Sequence, residues 1–169
     1  MSILKRLLKT KFDSGDYWRR RYEKNQTSGP GSYGRLAAYK AEVINGLVKD
    51  KAVASVGEIG SGDGNQAQLF EIDTYLGVDI SPKVIENARE TFADRPGWRF
   101  ELASAFHPET ATHDMSMSLD VIYHLVEDAV FDAYMRDLVT AAKRYVLVYA
   151  SDHDTPTKDI HVRHRSFSD

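Results

Sequence analysis

The chain has 169 residues, 42% apolar and 28% charged, with a net charge of −3 and no cysteine. That length fits one domain, and the composition is ordinary for a soluble globular chain. Without cysteine there is no disulfide, thiolate metal site or cysteine nucleophile, which fits a reducing, cytoplasmic setting. No apolar run approaches the roughly 18 residues of a membrane span. The N-terminus lacks the apolar core and cleavage site of a signal peptide. The charge is uneven: residues 1–40 hold ten Lys or Arg against three Asp or Glu, and the remainder holds 12 against 22. A basic segment on an acidic body either meets an acidic substrate, nucleic acid or membrane surface, or docks on its own acidic domain. No motif singles out nucleic acid.

Residues 3–12 place Ile3, Leu4, Leu7 and Leu8 on one face, with Lys5, Arg6, Lys9 and Lys11 elsewhere, the pattern of a short basic amphipathic helix. A second helix is expected over 16–24, with Trp18 and Tyr22 one turn apart. Residues 25–34 are too rich in Gly and Pro to be regular. Leu36, Tyr39, Val43, Ile44 and Leu47 then mark an amphipathic helix to about Val48. Residues 1–50 thus read as a helical cap and 51–169 as an α/β core, one compact domain overall. Strand one is expected at Val53–Ile59, a helix at Asn65–Glu71, and strand two at Tyr75–Asp79. Ser81 and Pro82 supply an N-cap and a first-turn proline for a helix to about Ala93. Strand three is Trp98–Leu102 and strand four Asp114–Leu119. A helix covers about Glu127–Lys143, with Val130, Tyr134, Leu138 and Ala141 inward, and strand five is Tyr145–Tyr149. Strands alternating with helices imply a doubly wound, mostly parallel Rossmann-like sheet. After Ala150 no strand-like run remains, so further C-terminal strands are expected to be missing. The edge of strand five then either pairs with a second chain, giving a homo-oligomer, or is covered by residues 151–169.

The densest chemistry lies at Val56-Gly-Glu-Ile-Gly-Ser-Gly-Asp-Gly64. It is a glycine turn at the end of an apolar strand, and Asp79 closes the next strand. That is the start of a nucleotide-binding α/β unit. The glycines fall at relative positions 1, 3 and 5, whereas the dinucleotide fingerprint needs 1, 3 and 6, and position 6 is Asn65. Glu58 before the turn would repel a pyrophosphate and suits a cationic ligand bearing an ammonium and a sulfonium. A nicotinamide-dependent oxidoreductase is therefore the weaker enzyme reading.

Glu58, Gly60, Gly62, Gly64 and Asp79 resemble the first motif and the ribose-binding acid of the class I S-adenosylmethionine (SAM) dependent methyltransferases. Three further segments resemble a group of small bacterial members: Ser118–Asp128 as the fourth motif, Ser28–Arg35 with its following helix as an N-terminal cap, and the tail His161-Val-Arg-His-Arg165. The resemblance implies SAM as cofactor, with Asp79 accepting from both ribose hydroxyls. It also implies contacts from Ser61, Ile80 and Leu119, and from Ser104 and Ala105, which stand where relatives often carry an acid for the adenine amine. Tyr33 and Arg35 are expected to fold over the cofactor, Arg35 pairing its carboxylate or else bridging to the acidic body. Asp120 and His124, just past strand four, would face the methyl acceptor, an oxygen or nitrogen of a small molecule or sugar. His124 is the candidate base because histidine titrates near neutrality. The alternative is a helix-start histidine bonded to Glu127 or Asp128. Asp120 either positions an acceptor hydroxyl or caps the next turn. A SAM-binding module without turnover is the non-enzyme reading. Asp152, His153, Asp154, His161 and His164 fit no compact metal pattern, and Pro156 interrupts them, so a solvated tail without metal is expected.

Overall fold

A computed structural model of the chain describes residues 12–168. The basic amphipathic stretch before Phe12 lies outside the described residues. Five strands form one sheet: β1 (Ser55–Ile59), β2 (Thr74–Asp79), β3 (Trp98–Leu102), β4 (His113–Leu119) and β5 (Ala142–Tyr149), in the order β3-β2-β1-β4-β5. Every pairing is parallel. β2 and β3 lie on one side of β1, and β4 and β5 on the other. The order therefore reverses at the β1–β4 junction, where an open α/β sheet leaves a crevice beyond its carboxyl ends.

β1, β2 and β4 form here because their residues are buried on both faces, whereas no residue of the edge strand β5 is buried. Val56, Leu76, Val78, Met115 and Met117 are 0–3% exposed. Such strands read as near-continuous apolar runs. Tyr75, Phe92, Trp98 and Phe100 pack as an aromatic cluster against β2 and β3, with Tyr75 and Trp98 ring centroids 4.5 Å apart. The helices are α1 (Ser14–Glu23), α2 (Gly34–Asp50), α3 (Pro82–Thr91) and α4 (Asp128–Thr140). Asp13 caps α1 through the Asp16 amide at 2.6 Å, and Pro82 occupies the first turn of α3.

Four sequence expectations change. The helix expected over Asn65–Glu71 is a single turn, Ala67–Leu69. Asn65 Nδ2 donates to the Ser32 carbonyl at 2.6 Å and Gln66 Nε2 to the Ala37 carbonyl at 3.0 Å, which ties this stretch to the cap. α2 buries Ala37, Lys40, Ala41 and Ile44, while Leu36, Tyr39 and Val43 are 42–58% exposed. The small alanines let the helix approach closely, and a buried ion pair described below holds its rotation. On α4, Leu138 is fully buried, but Val130 is 44% exposed at a cavity mouth. β5 has a partner on one side only, β4, and residues 150–168 add just one bridge, Asp152 with Arg165. Residues 152–160 of the tail are exposed as expected, but residues 161–165 run back to the turn after β4, where Arg163 N donates to the Tyr123 carbonyl at 2.7 Å.

Candidate active site

A cavity of about 470 Å³ opens at the carboxyl ends of β1, β2 and β4, within the size range of small-ligand sites. Its floor is the glycine turn. Gly60 and Ser61 donate to the Val78 carbonyl at 2.7 and 2.9 Å, folding the turn back over β2. Gly60 has φ +86°, and a Cβ there would meet Val121 at 2.5 Å. Gly62 has φ +59°, and a Cβ would collide with Ser28. Only glycine fits both the dihedral and the space at these two positions.

Asp79 ends β2 at the cavity wall. Its Oδ2 accepts from Gly62 N at 3.0 Å and its Oδ1 from Ser81 N at 2.9 Å. Each carboxylate oxygen takes two donors, so each keeps capacity for a ligand hydroxyl. Burial raises its pKa to about 6, against the pull of those backbone amides. Glu58 is 2% exposed and accepts the Tyr75 hydroxyl at 2.5 Å. Burial pushes it up to about 7, with the Tyr75 bond and the nearby Lys40 ammonium opposing.

That shift carries a stability consequence. Folded Glu58 holds its proton to about pH 7, whereas the ordinary value is 4.5. Its contribution is therefore complete below pH 4.5 and lost as pH rises through about 7. His124, with its pKa lowered to about 4 from 6.5, works in the opposite sense between those values, so the effect must be read as a difference. Glu58→Gln keeps an oxygen for Tyr75. The stability of the native chain relative to this variant, by urea unfolding, should fall on the order of 3 kcal/mol between about pH 5 and pH 8. A difference independent of pH would show that Lys40 keeps Glu58 ionised throughout.

Lys40 was not legible as a site residue. It is 2% exposed, and its Nζ lies 2.5 Å from Asp120 Oδ2 and over the Tyr149 ring at 5.2 Å. Asp120 also accepts the Tyr123 hydroxyl at 3.0 Å. It has φ +58°, a strained conformation for a residue with a side chain. Its carboxylate is thus engaged by a cation and a phenol at the cavity wall. Tyr134, from α4, places its hydroxyl 2.6 Å from the Ile59 carbonyl oxygen and 2.7 Å from Ser118 Oγ.

His124 lies in the turn Ile122–His124 and lines the same cavity with Trp18 and Leu125. Its Nδ1 is 3.0 Å from the His161 carbonyl oxygen. The expected alternative partners are engaged elsewhere: Glu127 accepts from Ser14, and Asp128 pairs with Arg163 at 2.8 Å and Arg165 at 3.1 Å. Burial is the main cause of the lowered His124 pKa.

Of the residues expected around the cofactor, the cavity wall contains Glu58, Gly60, Ser61, Gly62, Asp79, Ile80 and Leu119, together with Asp120 and His124. Gly64, Tyr33, Arg35, Ser104 and Ala105 are not in it. Gly64 shapes the turn at φ +78°. The Tyr33 hydroxyl donates to Asp63 at 2.9 Å, which closes the cap loop onto the glycine turn, and Arg35 is exposed at the start of α2. After β3 the chain turns so that Ala103 and Phe106 face inward in place of Ser104 and Ala105. Besides Lys40, sequence reasoning missed the site roles of Gln66, Val121 and Tyr134. Among the described residues no group of three His, Asp or Glu could hold a metal ion, and no helix is long and apolar enough to cross a membrane.

The wall fits a nucleoside-bearing cationic cofactor. Ser61 Oγ and Gln66 Oε1 are buried in it without a hydrogen-bond partner, which suits a site that receives polar ligand groups. Asp79 suits a ribose diol, and Ile80, Ala103 and Phe106 offer an apolar slot for a base. Glu58 and Asp120 set carboxylates around the opposite end.

The fold is shared with known proteins. Residues 57–147 match the family model of the methyltransferase domain. Among solved structures, N-methyltransferase NodS from Bradyrhizobium japonicum aligns with TM-score 0.60 at 14% identity, covering 77% of this chain and 68% of that one. The methyltransferase domain of bacterial CtHen1-C aligns with TM-score 0.58 at 20% identity, covering 67% and 65%. The amino pentose methyltransferase CalS10 from Micromonospora echinaspora aligns with TM-score 0.57 at 18% identity, covering 68% and 51%. At these identities the likeness is one of fold, and the chain spans about two thirds of the CtHen1-C domain and half of CalS10. No curated protein matches. The matched segment runs from the glycine turn of β1 into β5, so it contains both the turn and Asp79. The chain belongs to the methyltransferase domain family, whose cofactor is S-adenosylmethionine.

Proposed function

We propose that this chain transfers a methyl group from SAM to an oxygen or nitrogen of a small-molecule or sugar acceptor. The observation that carries the reading is a single cavity holding both Asp79, with free acceptor capacity beside the glycine turn, and His124 at the other end. SAM, when bound, supplies a methyl carbon activated by the adjoining sulfonium. The residues of the chain hold, orient and deprotonate around it. Asp79 accepts from the ribose, Phe106 and Ile80 cover the base, Glu58 faces the amino-acid end, and Asp120, held by Lys40 and Tyr123, borders the acceptor. Close, aligned placement supplies most of the acceleration in such a displacement. His124 takes the acceptor proton as the new bond to carbon forms. Two of the similar structures are an amino pentose methyltransferase and an N-methyltransferase, which supports sugar and nitrogen acceptors as the first to test. The open edge of β5, beside exposed Val146 and Tyr149, supports self-association, which sedimentation reads directly.

The test has two arms. Calorimetry should show S-adenosylhomocysteine (SAH) binding at micromolar affinity, about −8 kcal/mol. Hydroxyl- and amine-bearing acceptors are then screened for release of SAH from SAM. Binding without turnover on any acceptor would make the chain a SAM-binding module, and binding of NADH in place of SAH would defeat the reading.

A further inference from the structure

The tail His161–Arg165 packs where the acceptor end of the cavity closes. The His161 carbonyl oxygen lies 3.0 Å from His124 Nδ1. A carbonyl only accepts, so Nδ1 carries the proton and Nε2 keeps its lone pair. The His161 ring stacks on His124 at 5.6 Å and 10°, and on Tyr17 of α1 at 4.9 Å and 19°. Trp18 meets the His124 ring edge-on at 4.8 Å. The turn that carries His124 is held by the same tail. Arg163 N donates to the Tyr123 carbonyl at 2.7 Å, and Arg163 Nη1 to the Val126 carbonyl at 3.1 Å. The Arg165 guanidinium reaches the Leu125 carbonyl at 2.7 Å and the Val126 carbonyl at 3.0 Å, and it lies over the Phe131 ring at 4.4 Å. Its side chain is 11% exposed. Such a fork on two backbone carbonyls is a geometric device that lysine cannot reproduce.

We propose that residues 161–165 form a positioning strap for His124, fixing it as the neutral Nδ1–H tautomer so that Nε2 accepts a hydrogen bond from the methyl acceptor. The role assigned to Nε2 rests on the reading of this cavity end as the acceptor site; the tautomer itself does not. Arg165 and the His161 carbonyl are positioning groups, acting through His124 on the chemistry.

The strap also narrows the acceptor class. An unprotonated Nε2 requires the acceptor to bring its own proton, as an O–H or N–H. The expected reacting group is therefore a hydroxyl or a nitrogen bearing hydrogen. The charged and titratable groups around His124 are Arg21 of α1, Asp120 in the turn and His161 of the strap. Arg21 and His161 oppose its protonation, in line with the downward shift that burial causes.

The test reads the ring directly. Two-bond proton–nitrogen spectra of the full chain labelled with ¹⁵N would resolve the tautomer of each of the six histidines. His124→Asn assigns the signal by its loss. Native His124 should be neutral and protonated on Nδ1 between about pH 5 and pH 8, with or without SAH. In Arg165→Ala the turn loses its fork, so His124 should populate both tautomers and titrate closer to 6.5, the ordinary value. Arg165→Lys, which keeps the charge, should fail to restore the native signal. SAH affinity should stay within about tenfold, which corresponds to 1.4 kcal/mol. A native Nε2–H tautomer would overturn the proposal, as would an unchanged His124 signal in Arg165→Ala. If Arg165→Ala does not fold, the native tautomer and the lysine variant still decide. Failure of the native chain to bind SAH would sink the cofactor reading alone, because the tautomer is read without ligand.

Discussion

Asp79→Ala is expected to weaken SAH binding by about 1.5–3 kcal/mol or somewhat more, roughly 10- to 100-fold in Kd. The carboxylate does two things at once. It holds the Gly62 and Ser81 amides, and it keeps lone pairs for the ribose hydroxyls. Alanine removes both, so the glycine turn also loses an anchor. Asparagine is not a conservative control, because its amide would place N–H donors against one of the two backbone N–H groups. It too should bind weakly. The pH dependence offers a second reading of the same group. Burial holds Asp79 near 6 in the ligand-free protein. Ionisation of Glu58 gives SAH affinity a rise through about pH 7, and because hydroxyl donors favour ionised Asp79 the affinity should also show a limb through about pH 6. That limb should vanish in Asp79→Ala. Unchanged affinity in the alanine variant, measured by calorimetry on folded protein, would remove Asp79 from the cofactor site.

The glycine-turn end of the cavity was legible in the sequence because it is local. A glycine turn and an acid at the end of the next strand are close in the chain, burial on both faces makes β1 readable as an apolar run, and β3 is legible from its alternation. What escaped notice depends on contacts between distant segments. Lys40 occupies an inward position, spaced with Ala37, Ala41 and Ile44 at helical intervals, but a lysine at such a position normally counts against burial. Asp120, 80 residues away, neutralises it. The same pair explains why Leu36, Tyr39 and Val43 ride outward: α2 turns to bring the small alanines and Lys40 to the sheet. Ser104 and Ala105 turn outward because two tight turns follow β3, and the cavity takes Ala103 and Phe106, of which the aromatic Phe106 is legible from the sequence as a cover for a base. The tail was read as solvated, and its histidines carry no compact metal spacing. Its packing depends on carbonyls of the turn after β4, which no side-chain pattern reveals.

His124→Ala is expected to lower turnover on the true acceptor by roughly 10²- to 10⁴-fold, the usual contribution of a positioned proton acceptor. SAH affinity should barely move, because the Asp79 and glycine-turn contacts lie at the other end of the cavity. The structure changes where the accompanying pH effect belongs. A histidine near its ordinary value of 6.5 would give a rate limb close to neutrality, but burial holds this one near 4. Turnover limited by its ionisation should therefore rise with pH through about 4 and be flat across the neutral range. A proton acceptor so weak in its resting state gains little by binding the proton early. It is effective only as the acceptor group loses its proton while bonding to the methyl carbon, when that group becomes strongly acidic. His124→Gln, which keeps an acceptor oxygen without a titrating nitrogen, separates the two parts of the role. If it recovers a substantial part of the lost rate and shows no acid limb, orientation of the acceptor through a hydrogen bond is the larger share. Near-native turnover in His124→Ala, with SAH binding intact, would leave proximity alone as the source of catalysis.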